Sequence, residues 1–208
     1  MRTFSVAILV LPVLLLAGCG SAGMHVETIH PDVALVAGIP GSAESASIAV
    51  GDFEIADPVL EYGIVGEAKT GLLNDSTDII CERSVALILA DAFREAIYGA
   101  GFPEVALEDA DYTLQGTIEQ VWVEEHATGH LPEYAKAYVK FDTVLCNANG
   151  KEIWGHSVDI FKVSEDCFDA TEFNIPTLSA ALKQGVEEVL TNEIMWQAMD
   201  VPTLADVP

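Results

Sequence analysis

A single α/β domain of the α+β kind, with helices packed on one face of an antiparallel or mixed sheet, is the fold this sequence predicts. Three observations predict it. Apolar residues recur at helical spacing in two long stretches, one around residues 79–101 and one around 175–199. Elsewhere, runs of alternating apolar and polar residues carry the period-two signature of half-buried strands. Their order, β-α-β-β-β-α, describes a two-layer domain.

The chain opens with Met1, Arg2 and Thr3, which lead into "FSVAILVLPVLLLAG". A charged start, a short apolar core and a small-residue exit describe a secretory signal peptide over residues 1–18. The run is short for a membrane span, which needs about 20 apolar residues. From Gly20 onward the sequence is rich in Gly, Ser, Ala and Pro without a sustained period, so residues 19–46 are expected to form a flexible tether. The domain is expected over 47–199, with a short tail over 200–208.

"SIAVGDFEIAD" (47–57) reads as the first strand, and its apolar alternation changes phase near Gly51 and Asp52, which predicts a bulge. "PVLEYGIVGEAKTGLLNDST" has three glycines and several turn residues and is expected to be a loop or an irregular strand. Asp78 is the expected N-cap of the first helix, which presents Val85, Leu89, Ala92, Phe93, Ala96 and Ile97 inward and stops at Gly99 and Gly101. "DYTLQGTIEQVWVEE" (111–125) is a second strand with a phase shift near Gln120.

Two long β runs follow, joined through Asn149-Gly150, a strong hairpin signal. A two-residue turn there makes paired residue numbers sum to 299. Leu145 then faces Trp154, Phe141 faces Val158 and Val139 faces Ile160 on an apolar side. Lys140 meets Asp159 on the other. A slip of one residue would invert this arrangement, so the apolar match supports the register. "IPTLSAALKQGVEEVLTNEIMWQAM" closes the domain as a helix with Leu178, Ala181, Leu182, Gly185, Val186 and Val189 inward.

The formal charge is −24, from 33 acidic residues against nine Lys and Arg. Binding to nucleic acid rests on Lys and Arg neutralising phosphates, so that class of partner is excluded. The acids are spread along the chain, which describes a solvated acidic surface or a face for cations or a basic partner.

Leu16-Ala17-Gly18-Cys19 resembles the lipobox of bacterial lipoproteins. That resemblance implies cleavage before Cys19, a diacylglycerol on its sulfur and an N-acyl chain on its new amino group. Gly20 stands where an Asp would favour retention at the inner membrane, so the resemblance implies the outer membrane, facing the periplasm. Beyond the lipobox, "GIVGEAKTG", a helix ending "AIYGAGF", "DADYTLQGTIEQV", the "NANG" hairpin and a final helix are similar to the YajG family of envelope lipoproteins. The similarity runs from about Ser47 to Met199. It implies a lipid-anchored envelope protein with no catalytic motif to transfer; the cysteines, the acidity and the "HATGH" stretch depart from the family pattern.

Three cysteines besides Cys19 invite an oxidised pair. The predicted topology brings Cys81, at the start of the first helix, to the end where Cys167 follows the last strand, and leaves Cys146 at the opposite end. A Cys81–Cys167 disulfide is therefore expected, with three free thiols as the alternative. Glu124, Glu125, His126, His130 and Glu133 share one connection and suit zinc or another transition ion, or form a polar exposed loop. His156 is expected as a hydrogen-bonded core histidine. Ser84 has no G-x-S-x-G elbow around it, and neither H-E-x-x-H nor a phosphate-binding glycine loop occurs. In "EYGIVGEAKTG", Tyr62 is the best contact residue for a partner.

The sequence thus predicts a non-catalytic, lipid-anchored, periplasm-facing envelope protein. It would carry no cofactor beyond the lipid on Cys19, bind no nucleic acid, and act through protein contacts in envelope assembly, maintenance or transport. A metal-binding protein using residues 124–133 and a hydrolase without a recognisable motif are the rivals.

Overall fold

The computed structural model describes residues 25–29, 31, 46–70, 75–126, 134–164 and 171–199. Seven strands form one mixed sheet: β1 (His25–Glu27), β2 (Ile48–Ile55), β3 (Ile64–Thr70), β4 (Asp75–Cys81), β5 (Tyr112–His126), β6 (Tyr134–Asn147) and β7 (Glu152–Val163). Four helices pack against it: α1 (Pro58–Glu61), α2 (Val85–Gly99), α3 (Thr171–Leu190) and α4 (Glu193–Ala198). The strand order is β1-β4-β3-β5-β6-β7, and β2 also pairs with β5. The 15-residue β5 therefore holds two parallel neighbours end to end, β2 along residues 112–118 and β3 along 123–124.

Both long helices cover the same face. Phe93 of α2 stacks on Phe53 of β2 at 5.4 Å and meets Phe141 of β6 edge-on at 6.2 Å. Leu178, Ala181, Leu182, Val186 and Val189 of α3 are fully buried, as their spacing predicts. Gly185 lies on the same stripe, where an added Cβ would meet Phe141 at 2.8 Å and Val158 at 3.1 Å. The missing side chain lets the helix sit close to β6 and β7. Both expected bulges are present, one between Val50 and Phe53 and one between Ile118 and Gln120.

The hairpin register holds from Lys136 paired with Val163 to Leu145 paired with Trp154, but the turn differs from the expected two-residue loop. The Gly150 N–H donates to the Asn147 carbonyl at 2.8 Å, Gly150 has φ 73°, and the Asn147 N–H donates to the Lys151 carbonyl at 2.9 Å. This is a three-residue loop with glycine in the left-handed position. It shifts the first pairs, and a second irregularity between Leu145 and Cys146 restores the register.

Other expectations are corrected. His25–Glu27, within the expected tether, is a strand paired in parallel with β4, and Ile29 is a core residue at 2% exposure. The supposed irregular stretch contains α1 and β3 and runs into β4. Asp78 lies in β4 and does not cap a helix; Ser84 holds the N-cap position of α2. The last helix is two helices, because Asn192 accepts the Ile194 N–H at 3.1 Å and starts α4 anew. Trp196 of α4 donates to the Leu190 carbonyl at 2.8 Å and stacks on Phe102 at 5.4 Å, which seals that end of the core.

Candidate functional site

The residues singled out by sequence do not assemble into one site among the described residues. Glu124, Glu125 and His126 belong to β5, not to a loop, and alternate across the sheet. Glu124 faces Lys136 at 4.0 Å and His126 stacks on Tyr134 at 4.8 Å. Glu125 is buried, and its carboxylate accepts the Lys69 backbone N–H at 2.8 Å. His130 and Glu133 lie outside the described residues, as do Cys19 and Cys167. Cys81 ends β4, and its thiol is free and 6% exposed; burial pushes its pKa up. Tyr62 closes α1 and is 79% exposed.

His156 is half-buried and sits where the rim of β7 meets α3. Its Nε2 lies 2.9 Å from the Glu188 carboxylate, and its ring stacks on Trp154 at 5.7 Å. It therefore pins the helix to the sheet as a partnered rim histidine, which corrects the expected core placement.

Among the described residues, two concavities on the surface stand out. One, of about 360 Å³, lies beside the β2 bulge and is lined by Asp52, Glu54, Gln115, Thr117 and Asp142. Gly116 forms its floor, where a Cβ would collide with the Asp142 carbonyl. Asp142 accepts a hydrogen bond from Ser157 at 2.5 Å. The three carboxylates that line it suit a cationic side chain. The other, of about 290 Å³, is bordered by Ile29, Arg83 and Asp91. Asp91 is gripped by Arg83 at 2.6 Å and Arg94 at 2.8 Å, and the Arg83 hydrogen bond foremost holds its carboxyl below the usual range. Arg94 also donates to the Val50 carbonyl at 3.2 Å, tying α2 to the β2 bulge.

The face of the sheet away from the helices carries a feature missed in the sequence reading. Val26 pairs with Ile80, Ile80 with Ile64, Trp122 with Tyr138, and Tyr138 with Phe161. Gly66 opposite Val123, on the covered face and one row away, sets the β3–β5 register, and the irregularity before Gly66 brings Ile64 level with Trp122, so these six residues fall in one row from edge to edge. Val26 is 60% and Phe161 54% exposed, and the Tyr138 and Phe161 rings lie 5.0 Å apart. The hairpin register was the available signal, since it already places Phe161 opposite Tyr138 on the side of Lys140.

No family model matches the sequence, and no curated protein matches it. Among solved structures, a Xanthomonas campestris protein of the DUF330 family is similar with a TM-score of 0.55 at 13% identity, over 84% of this chain and 95% of that one. An uncharacterized protein is similar with a TM-score of 0.52 at 9% identity, over 83% and 99%. At these identities the likeness is one of fold.

Proposed function

We propose that this chain is a bacterial envelope lipoprotein, anchored through acyl chains on Cys19 at the periplasmic face of the outer membrane. It is non-catalytic and serves envelope assembly, maintenance or transport through a protein partner, in the manner of the YajG-like family its sequence resembles. The observation that carries this reading is the Leu16-Ala17-Gly18-Cys19 lipobox placed behind a short apolar leader. More than one acyl chain makes release slow, at about 0.8 kcal/mol per buried CH₂. The acidic cleft beside the β2 bulge and the exposed Tyr62 are the surfaces offered to the partner, and the acidity favours a basic one.

Intact-mass analysis of protein purified from membranes tests the anchor: a chain beginning at Cys19 with added acyl mass is expected, and an unmodified chain would remove the reading. Crosslinking capture beside a Cys19→Ser control tests the partner. One envelope complex recovered only with the anchor present supports an auxiliary role, whereas turnover of a substrate by the purified domain would overturn the non-catalytic assignment.

A further inference from the structure

The geometry points to the band Val26–Ile80–Ile64–Trp122–Tyr138–Phe161 as a membrane-contact face, held against the bilayer that receives the lipid on Cys19. The inference rests on the lipoprotein reading and adds an orientation to it.

The first argument is reach. Five residues separate Cys19 from His25, where the chain enters the sheet. Fully extended, that connection covers at most about 20 Å. A domain of this size is roughly 40 Å across. The leash is shorter than the body, so only surfaces near the end of the sheet where β1 begins can face the lipid.

The second argument is register. His25 pairs with Ile79, Ile79 with Gly66, Gly66 with Val123, and Val123 with Ala137. Because β1 runs parallel to β4 and opposite to β5, the start of β1 at His25 faces the end of the sheet where β5 finishes, β6 begins and β7 finishes. The band lies one residue step from the His25 row, or about 3.4 Å along the strands. Trp122 of β5 is three strands from β1, roughly 14 Å sideways. The leash can therefore reach the membrane beside the band.

The third argument is chemistry. Trp and Tyr carry apolar bodies with polar tips, which suits the headgroup layer. Lys140 pairs with Glu119 and Lys136 with Glu124, while Asp159 and Asp142 also lie near Lys140. The charges that flank the band are mainly acidic, as on a chain whose total charge is −24, so the band suits zwitterionic headgroups and not an anionic surface. The band spans the whole sheet, whereas isolated exposed apolar residues would need no explanation.

The test uses the full-length acylated protein in phosphatidylcholine vesicles containing a nitroxide-labelled lipid. Trp154 and Trp196 are buried on the helix side, so Trp122 is the tryptophan the nitroxide can reach. Loss of Trp122 emission is expected when the labelled lipid is present. Trp122→Phe should abolish that loss, and Phe161→Trp in the same background should restore it. Flotation with the vesicles and the intact mass report the anchor separately. Protein that floats without quenching overturns the membrane face and leaves the lipoprotein reading standing, as does a band crosslinked to a second copy or another protein. Protein that neither floats nor carries acyl mass overturns both.

Discussion

The helix-covered face and the open face of the sheet alternate residue by residue along β5, β6 and β7, yet they differ in what fixes their side chains. On the covered face, Phe53, Phe93 and Phe141 interlock and Gly185 admits α3 with no room to spare. On the open face, Glu119 with Lys140 and Asp142 with Ser157 share the surface with a row of apolar residues. Packing dictates identity on the first face. Solvent, or a partner surface, dictates it on the second.

The sharpest way to break this contrast is a truncation on each face. Phe93→Ala should cost about 3–5 kcal/mol in urea unfolding, because the side chain is fully buried and its neighbours cannot collapse into the gap. Phe161→Ala on the open face should stay within about 0.5 kcal/mol of the parent. Equal losses would show that the open face is also structural. Gly185→Ala comes next: crowding against Phe141 should cost about 1–3 kcal/mol and exceed the helix-propensity gain of about 1 kcal/mol, so the melting temperature should fall.

Asn174 sharpens the same comparison from the other direction. It lies on the buried stripe of α3 at 1% exposure, and among the described residues neither its Nδ2 nor its Oδ1 has a hydrogen-bond partner. Asn174→Leu should raise stability by about 1–2 kcal/mol, since removing an unsatisfied buried amide recovers its desolvation cost. A loss of stability on denaturant titration would instead mean that an internal water serves the amide.

The smaller effects belong to exposed charges. Lys140→Ala should lower the melting temperature only slightly, and the difference should vanish in high salt. Asp91 is half-buried, and its folded pKa is depressed by the hydrogen bonds from Arg83 and Arg94. Its contribution is therefore complete above the ordinary Asp value of about 3.9 and lost as pH falls through the lower folded value. Asp91→Asn should remove a small part of the loss of stability between pH 4 and the acid end, as followed by thermal melts.

Where the two faces differ in legibility, the cause is physical. The covered face was readable because burial enforces periodicity: the inward residues of α2, α3, β6 and β7 follow from spacing alone. Even the turn error at Asn149-Gly150 left the hairpin register intact, because the irregularity beside Cys146 compensates for the longer loop. β3 and β4 were harder. Gly66, Glu67, Lys69, Ser76 and Asp78 dilute the apolar alternation of two short strands, and Asp78 imitates a helix cap. β1 has three residues and therefore no period to detect. Of the proposed site residues, Glu124 and Glu125 close the strand expected over 111–125, and His126 extends it by one residue, where a run of polar residues with no apolar partner gives no period to follow.

The tandem placement of β2 and β3 along β5 has a consequence for how the chain tolerates change. Between Ile55 and Gly66 the chain has ten residues where β5, between Ile118 and Val123, has four. The surplus is looped out as α1, with Val59 exposed on it and Tyr62 exposed at its end. Because both flanking strands are locked to β5 independently, the exposed turn at Glu61–Tyr62 can accept an inserted peptide without changing the β5 pairings, while Leu60 at 2% exposure and Gly63, whose carbonyl accepts the Cys81 N–H, keep their places. It is a natural graft point, the place for an affinity tag or fluorophore that reports on the protein while leaving the core and the open face as they are.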